Sequence, residues 1–338
     1  ALTQSARVLI LDEPTSALSP REIERLFALI RRLQQEGAAT VYVSHKLEEV
    51  LALSDRVTVL RDGRLVRTAP VAELDGERLI SLMAGRALGS EAAPAPAGSG
   101  EIALEVRNLS TARVRDVSFR AHRGEIVGFS GLMGAGRTEL ARAVLGADPR
   151  CEGEIEVGGQ RLPPDSTAAA RRLGVGLVPE DRRGGGLFPE QPVLHNMTVA
   201  ALDRFCERGV INPARERAAA AALVEELSIR TPSLRQRIAV LSGGNQQKVL
   251  VARWLMQPKL EVLFVDEPTR GIDVGARFEI YRLLREMAER GLAVIVISSE
   301  IPELLGLCNR IYVMKGGGIV AELPGPGTAP EELLARAI

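Results

Sequence analysis

One stretch of this chain is written twice. Val8–Val66 aligns with Val262–Val320 at a constant offset of 254 positions and without a gap, and about a third of the paired positions are identical. VLILDEPTSAL pairs with VLFVDEPTRGI, and each is an apolar run ending in an acidic pair. A helical stripe follows in both copies: Leu26, Phe27, Ile30 and Leu33 match Ile280, Tyr281, Leu284 and Met287. Gly37 and Gly291 stand where those helices must close, a position that favours a residue with positive φ. TVYVSH and VIVISS come next, unbroken apolar runs that suit strands buried on both faces of a parallel sheet, and VTVL and IYVM supply further strands. A strand–helix–strand–strand unit repeated in this way restricts the chain to the α/β class.

The copies are not equally equipped. The second is preceded by residues 101–261, for which the first has no counterpart, so residues 1–85 read as the C-terminal remnant of one domain and 101–338 as a complete one. Residues 86–100 join them, and GSEAAPAPAGSG within them has a flexible linker's composition. The first residues read as helical and begin on Ala1, which suggests a cut end. Apolar runs such as Ala293–Ile297 fall far short of the ~20 residues of a membrane span. Lys+Arg and Asp+Glu balance at 43 each, without the basic surplus of a nucleic-acid binder, and aromatics at 3% are too few for a base-stacking platform. Cys151, Cys206 and Cys308 are widely spaced with no CxxC, as expected of incidental or buried thiols.

Three motifs carry chemistry. Gly131-Leu-Met-Gly134-Ala-Gly136-Arg137-Thr138 follows an apolar strand and opens a helical pattern, the setting of a phosphate loop. Its glycines let backbone N–H groups close on phosphate oxygens, the helix N-terminus adds positive potential, and Thr138 is placed to hold Mg²⁺. Arg137 stands where such loops carry lysine, and its planar fork need not fit where a slim ammonium reaches. The acidic pairs Asp12-Glu13 and Asp266-Glu267 suit a metal-orienting Asp and a water-polarising Glu; two carboxylates capping the next helix are the plainer alternative. Leu241-Ser242-Gly243-Gly244-Asn245 opens a long helical run, with Ser242 104 positions after Thr138 and 24 before Asp266.

In this fixed order the phosphate loop, LSGGNQQ and DEPT resemble an ATP-binding-cassette ATPase over essentially the whole chain. PEDRR (179–183), GLMGAGRTEL and SSE (298–300) narrow the resemblance to the tandem-cassette ATP-binding subunit of bacterial ribose, galactose and xylose importers. It implies a P-loop NTPase cassette: a mainly parallel sheet with flanking helices, a helical subdomain near 190–250 and a small antiparallel β subdomain. The C-terminal part of a second cassette would precede it. ATP and Mg²⁺ are the implied ligands, bound between cassettes that face each other head to tail. Carried onto this chain, one composite site would use Asp12 for metal, Glu13 and His45 for chemistry, and the facing signature Ser242, Gly243 and Gly244 with Asp273. The other would use Gly131, Gly134, Gly136, Arg137 and Thr138 with Glu180, the metal-binding Asp266 and the catalytic Glu267.

Departures from the family pattern gather in that second site. Arg137 replaces lysine, Glu180 stands where glutamine is usual, Ser299 replaces histidine, Ser19 occupies the position of Asp273 in the other copy, and no aromatic lies in Glu105–Val117 to stack on adenine. The resemblance further implies transmembrane permease partners, a periplasmic sugar-binding protein reached indirectly, no nucleic acid, and a peripheral place on the cytoplasmic face of the membrane. A soluble non-transport tandem cassette and a catalytically silent interaction module are the competing readings. PEDRR is either a solvated charge run or a coupling segment, and His122 and His195 read as isolated surface histidines.

Overall fold

The computed structural model describes residues 7–15, 18, 20–44, 46–61, 63–84 and 98–338. His45, Ser19 and most of the linker lie outside the described residues. Two compact units result: Ala1–Glu91 with Asp273–Phe278, and Ala92–Ile272 with Glu279–Ile338.

The front unit runs β1 (Val8–Asp12), α1 (Pro20–Gln35), β2 (Ala39–Val43), α2 (Leu47–Leu53), β3 (Arg56–Arg61), β4 (Arg64–Pro70) and α3 (Gly76–Ala84). The rear unit opens with β5 (Ile102–Ser110), β6 (Val117–His122), β7 (Ile126–Gly131), α4 (Arg137–Val144), β8 (Glu152–Val157), β9 (Gln160–Arg161), α5 (Thr167–Leu173) and β10 (Val175–Val178). Then come α6 (Val193–Thr198), β11 (Cys206–Glu207), β12 (Val210–Ile211), α7 (Pro213–Glu226) and α8 (Gly243–Leu255). The last stretch is β13 (Val262–Asp266), α9 (Val274–Glu289), β14 (Ala293–Ile297), α10 (Ile301–Leu307), β15 (Arg310–Lys315), β16 (Gly318–Pro324) and α11 (Pro330–Ala337).

The repeat in sequence is a repeat in structure. From β1 through α3, each strand and α-helix of the front unit starts 254 positions before its counterpart among β13 through α11. Even the irregularity between β3 and β4, at Val59/Leu60, recurs between β15 and β16 at Val313/Met314. The buried Thr15 hydroxyl donates to Glu49 at 2.8 Å, and Thr269 donates to Glu303 at the same distance. The two glutamates nonetheless titrate in opposite directions. Burial raises both, but hydrogen bonds from Tyr42, Thr15 and Lys46 outweigh it and hold Glu49 below the usual range. At the rear copy's equivalents of Tyr42 and Lys46 stand Val296 and Glu300, so burial wins and Glu303 stays raised despite bonds from Ser298 and Thr269.

Six strands of the rear unit form one sheet in the order β10-β13-β14-β7-β15-β16, parallel except for the terminal hairpin β15–β16. All five residues of β13 and of β14 are buried, as the apolar runs require of a parallel sheet covered on both faces. A four-stranded antiparallel sheet, β6-β5-β8-β9, lends Val106, Phe119 and Ile155 to the same core, where Phe119, Phe129 and Tyr312 meet edge to face or tilted. Beside it α6 packs on α7 and α8, and Val193, Met197, Ala220 and Val249 of these helices are fully buried.

Strand β7 is the piece the front unit does not repeat. In the rear sheet it lies between β14 and β15 and pairs in parallel with both. Their counterparts β2 and β3 have no such strand between them: β1–β2 and β3–β4 are separate two-stranded sheets, among the described residues. A cleft of about 660 Å³ separates β2 from β3, lined by Val41, Val43, Val57, Val59, Leu79 and Met83. Exposure follows: Ile10 is 70% exposed and Val41 50%, whereas Phe264 and Ile295, their partners across the repeat, are fully buried. Two open strand edges on one apolar cleft form a template for pairing with another chain. Residues 1–85 made alone are therefore expected to self-associate and to melt without a cooperative transition. A monodisperse fragment with one sharp calorimetric transition would contradict this.

Candidate nucleotide site

The parallel sheet delivers the site. Because β7, β14 and β13 run the same way, β7 ends in the glycine loop on the edge where β13 ends in Asp266, with only β14 between them. Gly131 takes φ +151°, and a Cβ there would sit 2.5 Å from the Met314 carbonyl of β15. Gly134 and Gly136 take φ +82° and +99°, in the left-handed region that side chains avoid. Gly136 caps α4, so Arg137 and Thr138 occupy its first turn.

Thr138 and Asp266 are joined: the Thr138 hydroxyl donates to Asp266 Oδ2 at 2.7 Å, across 128 residues of sequence. Asp266 is 2% exposed, and its Oδ1 is buried without a hydrogen-bond partner. That orphaned oxygen beside a hydroxyl suits a hard cation such as Mg²⁺, which prefers one or two protein oxygens with phosphate and water completing its shell. Glu267 sits next to it in a left-handed conformation, φ +47°, held by its N–H to the Ile297 carbonyl at 2.8 Å. Glu13 repeats this geometry at φ +43° with Val43. A non-glycine residue in this region is strained, and the strain recurs at the carboxylates read from sequence as catalytic. The Ser299 hydroxyl donates to Glu267 Oε2 at 3.1 Å, and Arg137 Nη1 lies 3.7 Å from Oε1.

A second group gathers around the start of α8. Ser242 is extended at the helix N-cap, its carbonyl accepts from Gln246, and its hydroxyl accepts from the Asn245 amide at 2.9 Å. The guanidinium of Arg182 donates to the carbonyls of Gly243 at 3.3 Å and Gly271 at 3.1 Å, tying PEDRR to the signature and to the turn after DEPT. Asp181 caps the backbone of Arg183 and Gly184, and Glu180 is paired with Arg270. The segment is therefore anchored, unlike a solvated charge run. Arg253 of α8 is buried, its pKa lowered to about 10 by desolvation, and it donates to the carbonyls of Gly186 and Asn196. Sequence reasoning missed Arg253 and left PEDRR, with Arg182, open between a charge run and a coupling segment, since the partners of both arginines lie 57 to 89 positions away.

The remaining candidates fall elsewhere. Asp12 ends β1 in the front unit and Glu13 follows it, and Asp273 accepts the Ala276 N–H at 2.9 Å in the first turn of α9. His122 bonds Glu125 at 3.0 Å and His195 bonds Gln191 at 3.2 Å.

Burial pushes Asp266 from its ordinary 3.8 up to about 6; the Thr138 bond and Arg137 oppose the rise, and the Glu267 charge adds to it. Burial likewise raises Glu267, against Ser299 and Arg137. A carboxyl with a raised folded-state pKa favours folding while protonated: its contribution is complete below pH ~4 and is lost as pH rises through ~6. Thermal unfolding without nucleotide should thus show stability falling over that window. Asp266→Asn should shrink the slope, leaving the part due to Glu267 and Glu303, and gain roughly 1–3 kcal/mol at pH 7.5. An unchanged slope, or a less stable variant at pH 7.5, would contradict this.

A family model for ABC transporters matches residues 114–270, from the strand pairing that precedes β7 through the turn after DEPT. The chain is 48% identical over its full length to a ribose import ATP-binding protein (RbsA 3) of Rubrobacter xylanophilus, of which it covers 68%. It is also 48% identical to a putative ribose/galactose/methyl galactoside import ATP-binding protein of Burkholderia cenocepacia, covering 66%. Among solved structures, the dimeric ATP-binding cassette MJ0796 aligns with a TM-score of 0.58 at 21% identity, over 67% of this chain and all of that one. CbiO1 of Clostridium perfringens aligns at 0.56 and 22%, over 70% of this chain and 91% of that one. With the parallel sheet, the glycine loop at its edge and these matches together, the chain belongs to the ATP-binding-cassette family.

Proposed function

We propose that this chain is an ATP-binding, energy-coupling subunit of an importer for simple sugars. The observation that carries the reading is the identity of nearly one half, along the whole chain, to proteins named for ribose and galactose import. Residues 1–85 are the C-terminal part of a first cassette, 86–100 a linker, and 101–338 a complete second cassette with its helical subdomain near 190–250. The described helices include none long and apolar enough to cross a membrane, so membrane passage belongs to partner permease subunits. The chain docks on them from the cytoplasmic face, and a periplasmic binding protein supplies the sugar from the other side. Nucleic acid has no part in this function.

Nucleotide phosphate would rest on the backbone of Gly131–Thr138, with Arg137 and the N-terminus of α4 supplying positive charge. Thr138 and the free oxygen of Asp266 would hold Mg²⁺, which when bound neutralises phosphate charge and draws electron density from the leaving group. Glu267 is the general base, its strained backbone aiming the carboxylate into the loop. Ser242, Gly243 and Gly244 at the start of α8 serve the opposite nucleotide of a head-to-tail cassette pair, where a helix N-terminus stabilises γ-phosphate charge. Asp12, Glu13 and His45 are the chemical groups of that opposite site, Asp273 reaches across to it, and Glu180 senses the nucleotide from the permease side.

Residues 1–85 carry no phosphate loop of their own, and 101–338 face no second signature within the chain. The 338-residue chain is therefore expected to bind MgATP in the micromolar range while releasing phosphate at background rate. Thr138→Ala should remove about tenfold of the Mg²⁺-dependent affinity. Equilibrium binding with and without EDTA, alongside a steady-state phosphate assay, checks both. No binding at millimolar ATP, or phosphate release abolished by Glu267→Gln, would overturn the assignment of roles.

A further inference from the structure

We propose that Arg137, Glu267 and Ser299 form a clamp that keeps the rear site disengaged until a phosphate group takes Arg137 away. The inference rests on the reading of Gly131–Thr138 as the nucleotide cradle. Both oxygens of the Glu267 carboxylate are engaged: Oε1 faces Arg137 Nη1 at 3.7 Å, and Oε2 accepts from Ser299 at 3.1 Å. The side chains of Arg137 and Glu267 are each only 11% exposed, so water screens their attraction weakly.

The two partners are unequally fixed. Glu267 is pinned by its backbone bond to Ile297 and by Ser299. Arg137 is pinned by charge alone at this end, for its Nη1 is buried and makes no hydrogen bond. A guanidinium is satisfied by oxygens arranged to accept its fork, which a phosphate presents and the Glu267 carboxylate at 3.7 Å does not. Arg137 is thus the movable member, and an arriving phosphate group competes with Glu267 for it. Two consequences follow. Nucleotide affinity is lower than the cradle alone would give, because binding must break the pair. Glu267 is free to accept a proton from water only once phosphate is bound, which makes Arg137 a positioning residue for the base as well as a ligand for the nucleotide.

A double-mutant cycle on the full chain separates this from simple repulsion between Glu267 and nucleotide. Calorimetric titration with ADP in EDTA, free of γ-phosphate and metal, compares the wild type, Glu267→Gln, Arg137→Met and the double variant. The clamp predicts that Glu267→Gln tightens ADP about fivefold when Arg137 is present and changes it less than about twofold when it is not. An equal change in both backgrounds, or no tightening beside Arg137, would overturn the clamp while leaving the cradle intact. Absence of ADP binding in all four proteins would overturn both. Arg137→Gln, also neutral, replaces Arg137→Met if that variant does not melt cooperatively.

Discussion

Everything in this molecule turns on where one strand sits. With β7 inserted between β14 and β15, the rear sheet is continuous, β13 and β14 are buried on both faces, and the glycine loop lands on the edge where Asp266 and Glu267 project. In the front unit nothing among the described residues fills that place. The front unit's strands then form two separate pairs across an apolar cleft, with alternate residues of β1 and β2 and most of β4 exposed. Side-chain burial at paired positions of the repeat differs for this reason and not because the residues differ in kind: Ile10 and Phe264 are equally apolar.

The electrostatics of the rear site grow from the same placement. A parallel sheet edge, a helix N-terminus and two adjacent carboxylates bring opposite charges into a poorly solvated corner. The corner's balance is local: the Thr138 bond and the Arg137 charge offset part of the burial cost of Asp266, yet its pKa remains raised. An unpartnered Asp266 oxygen and an unbonded Arg137 nitrogen remain. A folded protein rarely leaves two buried polar atoms unsatisfied in one site without a ligand to complete them. The backbone strain at Glu267 belongs to the same account, since a carboxylate aimed by a left-handed residue cannot relax out of the site.

Much of this was legible in the residues. The repeat and its offset located β1, α1, β2 and β3 with their counterparts β13, α9, β14 and β15, because apolar runs, helical stripes and closing glycines are local signals; α2, β4 and α3 and their counterparts were not read from it. The phosphate loop was legible for the same reason: its glycines at 131, 134 and 136 take the positive φ that other residues avoid. What stayed hidden depends on contacts far apart in sequence. Nothing local in PEDRR announces that Arg182 reaches Gly243 and Gly271, or that Ser299, noted only as a missing histidine, bonds Glu267. Glu49 and Glu303 show the limit most clearly: equivalent by repeat and bonded alike to threonine, they shift in opposite directions because Tyr42 and Lys46 became Val296 and Glu300.

On the proposed reading the nucleotide cradle lies at the end of β7, and the front unit's acidic pair has no matching glycine loop within residues 1–85. Amide hydrogen exchange on the whole chain, with and without MgATP, tests it directly. Nucleotide should slow exchange at residues 131–139 and around Asp266–Glu267, while Val8–Glu13 exchange at the same rate in both conditions. Protection appearing at Val8–Glu13, or an unaltered loop at 131–139 under saturating MgATP, would contradict the account.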